Sequence, residues 1–428
     1  MFFALINKIR TNTLFRNGTL FAFFSFLNSG IGFLLLLVLA SFIPPSEYGE
    51  LNLFNTFVTL LSIFISLNAT GIIAVDFFSA EKTQLRRMLS TVLCLSSASF
   101  LVFSLLLLFF SAYFERIIGL SAEYQWLGLL VCYMQVFSTV NLDIWRLEEN
   151  PLSYGIYSVA TVLANFILTL ILVIGFHWGW LGRVYAQVAV CMLFFFVSIY
   201  FLIRRGYLQR LIPNKETVKS ALAFGIPLIP HSASAWIRQG LDRYVINYFY
   251  MATQVGIYSF AYNFANIIQI IGLAFNATNS VYIYKNLANI EADTSSRLLK
   301  QTKVMTLFFA IITLCVYVGT SVFIPIFVPK YADAVPYLFP LCMGAFFQCV
   351  YYLFVNYLFY YKKTKRLMYI TFSMSLFHVL LSVLLTRYSV MYTAYVTMVI
   401  NMLITLGVFL CSRRAVSYTH LRAHETRG

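Results

Sequence analysis

Apolar residues in this chain do not alternate with polar ones. They run almost unbroken through twelve long stretches separated by short polar connections. The stretches fall near 18–42, 52–75, 88–112, 124–145, 154–176, 182–203, 221–249, 254–284, 303–327, 334–360, 367–386 and 389–411. A bilayer core roughly 30 Å thick is crossed by about 20 apolar residues at the helical rise, so each stretch reads as one span. Runs such as LLLLVLASFI after Phe33 and FSLLLLFF before Ser111 are apolar on every face. Strands of a membrane barrel would alternate apolar and polar positions, so the pattern predicts helices. The expected fold class is an all-α integral membrane protein with twelve transmembrane helices.

Composition agrees: 61% of the 428 residues are hydrophobic and 11% are charged. A soluble domain of that length could not hide so much apolar surface in one core. The seven cysteines lie within or at the edges of the expected spans without a CxxC pair, as small packing residues do. Nothing near Met1 reads as a removable signal peptide, because the first apolar run is already a full span.

Charge supplies the orientation. Of the 30 Lys and Arg residues, 22 fall in alternate connections, among them Lys82, Arg86 and Arg87, the cluster from Arg204 to Lys219, and Lys362 to Arg366. The other connections hold four: Arg116, Arg183, Lys330 and Arg387. Positive charge is retained on the cytoplasmic side, which places both termini there. The net charge of +15 is therefore a mark of topology and calls for no nucleic-acid partner.

The ending AVSYTHLRAHETRG, residues 415–428, has no apolar period and resembles translated adaptor sequence. It is read as a non-native tail, so His420 and His424 are not taken as metal or proton ligands. The native chain is expected to end shortly after Cys411 to Arg414.

The two halves echo one another at an offset of 207 residues: Gly18 with Gly225, Gly49 with Gly256, Phe57 with Phe264, and Tyr124 with Tyr331. This divides the chain into an amino-terminal six-helix bundle over 1–203, a basic cytoplasmic linker over 204–219, and a second six-helix bundle over 220–414. An even number of spans gives both halves the same orientation, related by an axis along the membrane normal, with a cavity expected between them.

No phosphate-binding GxxxxGK[ST] loop, no HExxH and no loop long enough to fold as a soluble domain occurs in the sequence. Enzyme chemistry is disfavoured and transport favoured. The seventh stretch, LAFGIPLIPHSASAWIRQGLDRYVINYF from Leu222 to Phe249, carries the intramembrane charge. Pro227 and Pro230 should loosen it near its cytoplasmic end. Beyond them His231, Ser234, Arg238 and Asp242 follow i, i+3, i+4 spacing and predict one polar stripe. Counted from Ala223, Arg238 lies about 22 Å into the span, with Asp242 and Arg243 about 6 Å farther out.

Intramembrane charge is expensive and marks function by default. Arg238 is accordingly a candidate cavity residue, against the alternative that Asp242 holds it as an i+4 structural pair. Arg243 is a candidate at the outer vestibule, or it snorkels to the headgroups. His231 is either a satisfied packing residue or a proton relay, and Trp236 either stacks on a sugar or meets lipid. Asn28 and Asn55 either bridge helices or line a polar lumen. Asp76 and Asp143 read as interfacial, Asp143 pairing with Arg146.

Three segments carry a family resemblance: NGTLFAFFSFLNSGIGFLLLLVLASFIPPSEYGELNLFNTF near the start, FGIPLIPHSASAWIRQGLDRYVI followed by VGIYSFAYNFANI, and PKYADAVPYLFPL. With them the chain resembles the Wzx-type polysaccharide flippases of the multidrug, oligosaccharidyl-lipid and polysaccharide exporter superfamily, over nearly its whole length. The resemblance implies a MATE/flippase-like pair of six-helix bundles around a V-shaped cavity. It implies transfer of an undecaprenyl-diphosphate-linked oligosaccharide across the bacterial inner membrane for O-antigen, capsule or exopolysaccharide. It implies no bound cofactor, coupling to a proton or sodium gradient, and cooperation with a polysaccharide polymerase and a chain-length regulator. Within it Asp242 and Arg243 fall on the DRY element, and Arg238 lies four residues earlier. A drug or cation antiporter and a lipid II flippase of the same superfamily are the alternatives. A membrane polymerase is the remote one, because it would need a large extracytoplasmic loop.

Overall fold

The computed structural model describes residues 13–78, 81–208, 213–288 and 293–425. Residues 209–212 of the expected linker lie outside the described residues, as do 426–428 of the expected tail. The described residues are mostly helical, and eleven helices among them are long and apolar enough to cross a membrane. The chain divides into two compact units, Met1–Ala233 and Ser234–Gly428.

In the first unit, α1 (Thr13–Phe42) is followed by α2 (Pro45–Ser66). Pro45 suits the first turn of α2, where an amide would have no helical partner. The expected second span, 52–75, stops at Ser66 instead. Leu67 and Asn68 both take φ of 50°, a left-handed step that ends the helix, and the chain restarts as the short α3 (Gly71–Asp76). Next come α4 (Lys82–Ile118), α5 (Ala122–Leu147), α6 (Pro151–Leu170) with a π turn over Ile171–Gly175, and α7 (Gly179–Arg204). Gly119 closes α4 in the left-handed region at φ 69°, its amide bonded to Glu115 O at 2.9 Å. Glu47 of α2 accepts the Trp180 amide at 2.8 Å, a carboxylate capping the start of α7 from another helix.

The core of this unit lies where α2 meets α5: Leu53, Phe54, Leu129 and Val131 are fully buried. Gly128 is small because the Phe57 ring fills the space that a Cβ would take. By contrast α1 and α4 turn Phe26, Leu108 and Phe109 outward, as lipid-facing helices do.

The expected seventh span is not one helix. It is α8 (Lys215–Gly225), a 3-10 turn over Ile226–Leu228, α9 (Ile229–Gln239) and α10 (Leu241–Phe249). Pro227 sits in the 3-10 turn, as its missing amide requires. Asn214 and Thr217 form a capping box that starts α8, and Thr217 Oγ1 lies 2.8 Å from Thr91 Oγ1 on α4. Gly225 is compulsory for space, since a Cβ there would come within 2.2 Å of Leu67 O.

The second unit continues with α11 (Ala252–Ala288), α12 (Thr294–Phe327), a 3-10 segment over Pro329–Ala334, α13 (Val335–Tyr360), α14 (Thr364–Thr386) and α15 (Val390–Glu425). Its core includes Val355 and Leu358 of α13 against Ile400, Ile404 and Val408 of α15. Residues 415–425 of the expected tail continue the backbone of α15.

Candidate functional site

The site is built on α10, where α9 ends at Gln239 and Gly240 interrupts the helical rows. The Gly240 amide closes back on Trp236 O at 2.7 Å, and the Arg243 amide bonds Gly240 O at 3.1 Å. This break separates Arg238 from Asp242. The i+4 pair weighed as the alternative for Arg238 is not formed among the described residues, and each side chain has its own partners.

Asp242 is 2% exposed, and both carboxylate oxygens are saturated. Oδ1 faces His378 Nε2 at 2.8 Å and accepts from Ser382 Oγ at 3.0 Å. Oδ2 accepts from Tyr258 OH at 2.9 Å and from Thr397 Oγ1 at 2.8 Å. An ionised carboxylate away from water needs such a shell of donors to offset its lost hydration. His378 is equally buried at 1% exposure, and its Nδ1 has no hydrogen-bond partner among the described residues.

Arg238 is partly buried and donates to Ser375 Oγ at 2.7 Å and Thr371 O at 3.4 Å. Among the described residues these partners are neutral dipoles, which leaves its charge without a carboxylate. Arg243 does not reach outward to headgroups. It is 7% exposed, donates to Ser259 Oγ at 3.1 Å and to the Gln239 carbonyl, and lies 4.8 Å from the centre of the Tyr262 ring.

The other sequence candidates are dispersed. Trp236 is partly buried with its ring 5.9 Å from that of Tyr244. His231 is exposed on α9 in the first unit. Asn28 on α1 is partly buried with Oδ1 unbonded among the described residues. Asn55 on α2 is partly buried, its carbonyl accepting from Thr59 Oγ1 at 2.8 Å. Asp143 meets Arg146 at 2.8 Å, as its position suggested. Arg183, counted above with an outer connection, is the fifth residue of α7 and donates to Asn165 Oδ1 and, at 3.4 Å, to Thr169 Oγ1.

His378, Ser382, Tyr258 and Thr397 were missed. The same spacing rule could have found most of them. Thr371, Ser375, His378, Ser382 and Thr386 recur every three or four residues along α14, and Thr393, Thr397, Asn401 and Thr405 every four along α15, all buried. Two polar stripes in apolar helices meet at one carboxylate.

Known proteins give this geometry a context. The family model described as polysaccharide biosynthesis protein matches residues 14–282. A Haemophilus influenzae protein described as an uncharacterized membrane protein is 24% identical over 364 residues, covering 79% of this chain and 81% of its own. A structure of the lipid II flippase MurJ in an inward closed conformation superposes with a TM-score of 0.75 at 14% identity, covering 92% of this chain and 87% of that one. An inward-facing multidrug resistance MATE family transporter of the MOP superfamily gives 0.72 at 15% identity, covering 91% and 94%. The chain is thus a multi-pass membrane protein with the fold of those two solved proteins, and it belongs to the polysaccharide biosynthesis protein family.

Proposed function

We propose that this protein is a flippase that moves an undecaprenyl-diphosphate-linked oligosaccharide from the inner to the outer leaflet of the bacterial inner membrane, for surface polysaccharide assembly. The observation that carries the reading is Arg238, a cation in the apolar part of the chain whose partners Ser375 and Thr371 are neutral. Such a group attracts an anion where water is scarce. A polyprenyl tail can remain in lipid while the diphosphate and sugars need cationic and hydrogen-bonding groups. A guanidinium fork matches a diphosphate with two parallel bonds. Trp236 offers a ring face to a sugar, and a polymerase and a chain-length regulator are the partners that would consume the product.

The same reading expects coupling to a proton or sodium gradient, with Asp242 and its partners His378, Ser382, Tyr258 and Thr397 as the buried polar centre of the second unit.

Deletion of the gene tests the assignment. Surface glycan should disappear while lipid-linked oligosaccharide accumulates on the cytoplasmic leaflet. A strain that keeps its glycan but becomes sensitive to cationic drugs would instead make the protein a drug antiporter. Growth arrest with accumulated lipid II would make it a lipid II flippase.

A further inference from the structure

The ends of α5, α6 and α7 that the charge pattern assigns to the cytoplasm enclose a groove which the transport reading leaves unused. Its volume is about 620 Å³. The floor is aromatic, with Trp145, Tyr157 and Phe194 at 4%, 5% and 8% exposure. The small side chains of Ser153 and Ala160 on α6 keep it open, and Ile156 on its lip is 68% exposed, as expected of a mouth that meets lipid tails.

The polar end of the groove carries Arg204, Arg205 and Asn150. Arg205 is already committed: it pairs with Glu148 and lies over the Trp145 and Tyr207 rings at 5.5 and 5.1 Å. The second oxygen of Glu148 takes the Tyr207 hydroxyl, so that carboxylate is occupied as well. Arg204 bonds the neutral Tyr200 hydroxyl at 3.1 Å and pairs with no carboxylate among the described residues. Asn150 caps α6 through the Ser153 amide at 3.1 Å, which directs the positive end of a 20-residue helix at the same place. One uncompensated positive charge therefore closes an apolar slot that opens sideways.

We infer that this groove holds an anionic glycerophospholipid. The phosphodiester lies against Arg204 and the first turn of α6, and one acyl chain lies between α6 and α7. Basic pockets between helices on the cytoplasmic side bind anionic headgroups in this way. A zwitterionic lipid is matched less well, because among the described residues no free carboxylate lines the groove to receive its ammonium group. The site lies within the first unit and does not depend on the transport assignment.

The test is native mass spectrometry of the purified full chain with equimolar dioleoyl phosphatidylglycerol and dioleoyl phosphatidylcholine. Phosphatidylglycerol should be retained in preference. Arg204→Gln, a change at an exposed side chain, should lower that retention about fivefold. Ala160→Phe, which fills the slot, should reduce the adducts of both lipids. Equal retention of the two lipids by the unaltered protein would overturn the inference, and so would undiminished phosphatidylglycerol binding by Arg204→Gln.

Discussion

Asp242 and His378 stand 136 residues apart in the chain, yet Oδ1 of one lies 2.8 Å from Nε2 of the other inside the second unit. With Ser382, Tyr258 and Thr397 they form a buried polar centre that ties α10 and α11 to α14 and α15.

Replacing that carboxylate should be costly. Asp242→Asn turns one acceptor atom into a donor that faces donors already in place, and leaving a buried polar group unsatisfied costs about 1 to 3 kcal/mol. The expected outcome is a lower melting temperature in detergent together with loss of surface glycan. A normal melting temperature with full complementation would remove the centre from both stability and function.

His378→Gln can keep a donor toward Asp242 Oδ1. Its melting temperature in detergent should therefore fall less than that of Asp242→Asn. An equal or larger fall would show that the donor is not what the carboxylate needs from this position.

Arg238 gives a graded series. Arg238→Ala should abolish surface glycan at normal protein level, and Arg238→Lys should restore it partially, because charge is kept while the two-pronged geometry is lost. Full activity of the alanine variant would show that the guanidinium serves only to bond Ser375 and Thr371.

Gly225→Ala should destabilise the first unit by several kcal/mol, since the new methyl group would collide with Leu67 O, a backbone atom that cannot rotate away. Gly319→Ala is the control. Among the described residues nothing lies within 4 Å of its Cβ position, so the melting temperature should hold or rise slightly. Equal effects of the two substitutions would contradict the packing described around α8.

The helices were legible in the sequence wherever apolar runs were long and uniform, because a bilayer forces each run to bond its own backbone. The break between Arg238 and Asp242 was less legible. Helical periodicity assumes that rows continue, and Gly240 ends α9 between the two residues. Pro227 and Pro230 marked the first break, the 3-10 turn over Ile226–Leu228, and gave no sign of the second one at Gly240. The partner of Asp242 was out of reach of any local rule, since His378 approaches it only through packing. The stripe from Thr371 to Thr386 was nonetheless present in the sequence, and buried hydroxyl groups every three or four residues in an apolar helix are the signal that points to such a centre.

The central claim is transport of a lipid-linked oligosaccharide, and leaflet accessibility in proteoliposomes measures it directly. The purified protein is reconstituted with a fluorescent undecaprenyl-diphosphate oligosaccharide, and an impermeant lectin or quencher then reports how much has crossed. The account predicts crossing that depends on the protein and is lost with Arg238→Ala. Crossing no faster than in protein-free vesicles, with the protein folded, would contradict it.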